Sequence, residues 1–117
     1  MGTSVWWGGS YSTEEQVVGT WIDGKPIYQK TINCGTLPNN NVISINHNIS
    51  NFQHLIHVWG YAQRTSDSLC IPLPDAVAGN SDVGIRVTPT IIRIETSIDR
   101  SAFTISYVTI QYTKTTD

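Results

Sequence analysis

Charge is scarce in this chain. Asp, Glu, Lys and Arg supply 14% of its 117 residues, well under the roughly 25% of an ordinary soluble domain. Lys and Arg total seven and the net charge is −2. Lys25, Lys30, Arg64, Arg86, Arg93 and Arg100 are spread out, with no basic cluster. Phosphate neutralisation needs a concentrated basic face, so nucleic acid is not an expected partner. A weakly charged surface costs little to desolvate, which favours burial against copies of the chain.

Other absences narrow the field further. No apolar run approaches the ~20 residues of a spanning helix, so membrane insertion is not expected. Residues 1–9 have neither the basic nor the apolar region of a secretory leader. They read as an artificial or internal start of a longer protein. Two cysteines, Cys34 and Cys70, are too few for a disulfide scaffold. We read them as buried, reduced thiols, with one disulfide as the alternative. Ala and Leu together contribute only 8 residues, fewer than long amphipathic helices use.

Catalytic signatures are missing as well. There is no Gly-x-Ser-x-Gly, no His-Glu-x-x-His and no cysteine-protease motif. The nearest thing to a phosphate loop, residues 79–84, lacks the spacing and the lysine. His54 and His57 would share a helix face, but a strand sends them to opposite sides. No metal or other cofactor is therefore expected. Asp75, Asp82, Glu95 and Asp99 could in principle supply a carboxylate pair. Most of them lie in turns, where Asp has an ordinary backbone role. An enzyme is not expected.

Ile, Val and Thr are abundant: 38 of the 117 residues. Branching at Cβ costs rotamer freedom on a helix and suits a pleated surface. Ser12-Thr13-Glu14-Glu15 reads as the cap of a short helical turn that Gly19 ends. Asp23-Gly24 reads as a two-residue hairpin centre, with Trp21 facing Pro26 and Pro26 on a sheet edge. Residues 27–32 continue as a strand. In residues 42–48 alternation points Ile43, Ile45, His47 and Ile49 inward. Val83, Ile85 and Val87 alternate, as do Ile92 and Ile94. In the last strand Phe103, Ile105 and Tyr107 share one face, while Val108, Ile110 and Tyr112 take the opposite phase. A β-bulge after Tyr107 would produce that switch. Seven or eight short strands predict an all-β, antiparallel β-sandwich, jelly-roll-like. Residues 1–12 read as a flexible lead-in and residues 13–117 as the sandwich.

Residues 54–63 are unusual, because neither face of the predicted strand is simply polar. Ile56, Val58, Gly60 and Ala62 would meet the core. Leu55, His57, Trp59 and Tyr61 form a second row too apolar for water, and they are expected at a subunit contact. Exposed Trp and Tyr in a small β-sandwich also stack on sugar faces, although most aromatics simply pack. Three loops, 37–41, 63–68 and 75–82, are rich in Asn, Ser, Thr and Asp, whose amides and hydroxyls suit sugar hydroxyls. Asn39, Asn40, Asn41, Arg64, Asp67 and Asn80 are the candidate glycan-binding residues. They could equally be plain solvated turns.

One stretch is more specific. Residues 11–32, YSTEEQVVGTWIDGKPIYQKTI, resemble the start of C-terminal head domains in tail fibres and related structural proteins of tailed phages. The closing run at 105–117, ISYVTIQYTKTTD, is similar to the end of such proteins. The resemblance covers about the first third and the last dozen residues, and the middle cannot be carried over. It implies a virion component at a tail tip or fibre, made in the host cytoplasm. Such a receptor-binding head or adhesin is a homotrimer that touches other tail or baseplate proteins and a host-surface glycan or glycoconjugate. A carbohydrate-binding module of a glycan-degrading enzyme is the alternative.

Overall fold

The computed structural model describes residues 11–75 and 82–116. Eight antiparallel strands make up their regular structure, with no helix among the described residues: β1 (Gln16–Thr20), β2 (Pro26–Asn33), β3 (Val42–Asn46), β4 (Phe52–Arg64), β5 (Cys70–Leu73), β6 (Val83–Val87), β7 (Ile91–Thr96) and β8 (Phe103–Lys114). They form a five-stranded sheet ordered β1-β2-β8-β4-β5 and a three-stranded sheet ordered β3-β7-β6. The expected all-β sandwich is what forms.

Side-chain alternation packs the two sheets together. β7 contributes Ile92 and Ile94, and β8 contributes Val108, Ile110 and Tyr112, all fully buried. Ala62, Leu73, Val83, Phe103 and Leu37 complete the core. Full burial of one such branched or aromatic side chain is worth about 1.5–3 kcal/mol. His47 is buried in phase with Ile43 and Ile45, as the alternation predicts, although β3 itself ends at Asn46.

Several local expectations are corrected. Residues 12–15 form a turn rather than a helical cap. Ser12 Oγ accepts the Glu14 N–H, and β-branched Val17 and Val18 carry the chain straight into β1. Gly19 pairs with Ile27 inside that strand. The hairpin loop has three residues. Trp21 accepts the Gly24 N–H and donates to the Lys25 carbonyl, so Trp21 faces Lys25 and Thr20 faces Pro26. Gly24 sits at φ +87°, the left-handed residue that closes a type I turn as a bulge. Pro26 opens β2, which lies second in its sheet, and the β8 ladder begins only at Tyr28. A proline missing its N–H is tolerated at such a first position.

The bulge in β8 lies earlier than expected. Gln63 pairs with Ile105 and Arg64 with Phe103, which leaves Thr104 as the extra residue. Phe103 therefore joins the core, while Ile105 and Tyr107 do not share its face. A second irregularity, between Leu55 and His57, pairs Leu55 with Tyr112 and His57 with Gln111. Of the two thiols, Cys34 is buried and Cys70 is exposed, and neither is disulfide-bonded.

Candidate functional site

Register across the five-stranded sheet sets its outward face. Trp59 pairs with Thr109 and Tyr61 with Tyr107 between β4 and β8, while Thr31 pairs with Thr109 between β2 and β8. Two short β-branched side chains thus lie side by side in mid-sheet. Tall aromatics border them, and the difference in height makes a hollow. Tyr11, Thr31, Trp59, Gly60, Tyr61, Tyr107 and Thr109 line a cleft of about 290 Å³.

The aromatic walls hold one another in place. The Tyr61 and Tyr107 rings stack at 5.9 Å between centroids. Tyr11 meets Trp59 edge-on at 6.1 Å, and His57 backs Trp59 at 4.4 Å. Edge-to-face and offset contacts of this kind hold rings in fixed poses. Tyr11 is placed by the next residue, because the Thr31 N–H donates to the Ser12 carbonyl. On the floor, the Thr31 and Thr109 hydroxyls are 2.8 Å apart. The described residues of the lining include no Asp, Glu, Lys or Arg.

A second hollow, of about 270 Å³ on the three-stranded sheet, differs in chemistry: Asp82, Arg86 and Glu95 line it. Among the described residues no group of His, Cys, Asp and Glu is arranged to hold a metal.

The predicted glycan residues that the structure describes lie at one end of the sandwich, where β4 ends and β3 and β8 begin. Asn39 bridges to Asp99, and the Asn40 N–H donates to the Ile98 carbonyl. Asn41 is occupied by its own turn: its side-chain oxygen accepts the Val42 N–H. The Arg64 fork is filled by Asp67, through Nε to Oδ1 at 2.9 Å and a second bond to Oδ2 at 2.7 Å. The Arg64 hydrogen bond holds the Asp67 carboxyl down at about 2. Arg64 and Arg100 both lie over the Phe103 ring, at 5.5 and 5.6 Å from its centroid. Asn80 lies outside the described residues. The end is therefore knit largely to itself, and Asn39 and Asn40 are exposed there.

The predicted interface row comes apart at Leu55. His57, Trp59 and Tyr61 stay together on the outward face, but the irregularity before His57 places Leu55 opposite core-facing Tyr112. Sequence reasoning missed Tyr11, Thr31, Tyr107 and Thr109. Tyr107 was hidden by the bulge assigned after it. Tyr11 was hidden because nothing in a sequence reveals that a residue ahead of β1 reaches β4.

No protein-family model, curated protein or solved structure matches the chain.

Proposed function

We propose that this chain is the head domain of a tail fibre or receptor-binding protein of a tailed phage. It assembles as a homotrimer and attaches the virion to a host-surface glycan. One observation carries the reading. The two segments that resemble phage head domains, 11–32 and 105–117, come together as neighbours: β1, β2 and β8 are adjacent strands of one sheet, paired in register from Tyr28 with Tyr112 to Asn33 with Tyr107. The family-like residues thus form one continuous frame, and the unmatched middle supplies the remaining strands and the end loops. Exposed Val17, Ile22 and Leu55 are apolar surface that a trimer would cover.

Light scattering and binding to host cells test this together. The expected result is a trimer mass at micromolar concentration and saturable attachment to host cells that a glycan-stripping treatment abolishes. A monomer that leaves host cells untouched overturns it. The aromatic cleft favours a second reading, a carbohydrate-binding module. A monomer that binds a polysaccharide without attaching to any bacterial surface would select that one.

A further inference from the structure

The geometry points to the cleft at Trp59 as a binding site for one uncharged pyranose ring. This site rests on the host-glycan reading above. It moves the sugar from the end loops to the face of the five-stranded sheet, and it takes His57, Trp59 and Tyr61 out of the subunit contact.

Four observations lead there. The cleft, at about 290 Å³, lies at the small end of ligand sites and is monosaccharide-sized. Its walls are Trp59, Tyr61, Tyr107 and Tyr11. The C–H bonds on one side of a pyranose form an apolar patch that packs on an electron-rich ring face. Hydroxyls are supplied at two levels. The Thr31–Thr109 pair uses one of its two hydrogens in the mutual bond, which leaves the other for a ligand oxygen. No described residue bonds the Tyr11, Tyr61 or Tyr107 hydroxyls.

Charge sets the class of ligand. With no Asp, Glu, Lys or Arg among the described lining residues, a carboxylate or phosphate would be desolvated there without a partner, which is costly. Neutral hexoses and N-acetylhexosamines fit, and sialic or uronic acids do not. Tyr11 of the same chain already covers one edge of Trp59, which leaves less of that ring for a copy of the chain.

The test uses the full chain in its native assembly. It is titrated with the methyl glycosides of glucose, galactose, mannose and N-acetylglucosamine, with glucuronic acid as the charged comparison. NMR follows the Trp59 indole signal in the unsubstituted chain, and titration calorimetry follows binding in that chain and in every variant. At least one neutral sugar should shift that signal saturably, and glucuronic acid should bind no tighter than the glucoside. Trp59→Ala should weaken binding about tenfold or more, given what one stacked ring contributes. Thr31→Val, nearly isosteric and still β-branched, should weaken it without altering the assembly. The site is overturned if no neutral sugar moves the Trp59 signal. It is overturned if Asn39→Ala with Asn40→Ala abolishes binding that Trp59→Ala retains. It is also overturned if Trp59→Ala dissolves the trimer, which returns the row to a subunit contact. Host-cell attachment separates the two claims. Cells held equally well by Trp59→Ala sink the site and leave the phage reading. Sugars bound at Trp59 by a protein that ignores host cells sink the phage reading and leave the site.

Discussion

The backbone N–H of Ile49 donates to Nδ1 of His47 across 3.2 Å, so this imidazole is held as an acceptor inside the fold. Its other nitrogen, Nε2, meets the Thr88 carbonyl at 2.8 Å and must donate there. One tautomer satisfies both partners, and it is neutral. The ring also stacks on Phe52 at 5.4 Å.

Acid should therefore loosen this protein through His47. Burial pushes its pKa below the ordinary 6.5. The folded state then binds fewer protons than the unfolded state below about pH 6.5, so stability falls as pH drops through that range. Asp67 and Asp99, both held below the ordinary 3.8, add their own losses only at lower pH. Urea midpoints measured between about pH 7.5 and 5 should decline steadily. A His47→Asn variant should start less stable and show a flatter profile. An unchanged slope would show that His47 is not the group responsible.

Gly60→Ala should be among the most damaging single-atom changes. A Cβ there would stand 2.1 Å from the Tyr107 carbonyl oxygen and 3.0 Å from the Val108 Cα, both backbone of the paired strand. Separating β4 from β8 to make room should cost about 3 kcal/mol. Gly84→Ala is the control: its nearest neighbour would be 3.9 Å away, and the effect should stay within about 0.5 kcal/mol. Chemical denaturation of the two variants decides it.

The two thiols should react very differently. Cys70 is exposed and Cys34 is buried, and burial pushes the Cys34 thiol up to about 12. The thiolate is the reactive form. Alkylation without reductant should label one site in the native protein and two in denaturant, read by intact mass. Failure of either thiol to label in denaturant would mean that it is oxidised.

Glu15 should matter more as an acceptor than as a charge. Its carboxylate takes the hydroxyl hydrogen of buried Tyr112 at 2.5 Å and the Lys114 ammonium at 2.7 Å. Glu15→Ala strands a buried phenol and should cost about 2 kcal/mol. Glu15→Gln keeps an acceptor, loses only a partly exposed ion pair, and should cost about 0.5 kcal/mol. Equal losses would assign the stabilisation to the charge instead.

The sandwich was legible because its strands alternate cleanly. Ile43 and Ile45, Val83 and Ile85, and Ile92 and Ile94 each announce an inward row. What sequence could not place were the departures from alternation. The extra residues at Thr104 and before His57 change phase where nothing in residue type marks the switch, because Thr, Ile and Tyr are at home on either face. One wall of the candidate cleft was visible, since Trp59 and Tyr61 stood out as a second apolar row. The floor was invisible, because Thr31 and Thr109 are distant in sequence and meet only through the β2–β8 register. The Asn-rich end loops drew attention by composition, but Asn41 and Asp67 serve mainly the backbone and Arg64.

The place of β8 has a mechanical consequence. It lies between β2 and β4, antiparallel to both. Hydrogen bonds in such ladders run perpendicular to the strands. Tension along β8 would therefore load the rungs on both of its edges at once, in shear, rather than peeling them one by one as at the β1–β2 hairpin. A molecule pulled along this strand in flowing liquid should give way abruptly and late, with the hairpin at the sheet edge yielding first under a transverse tug.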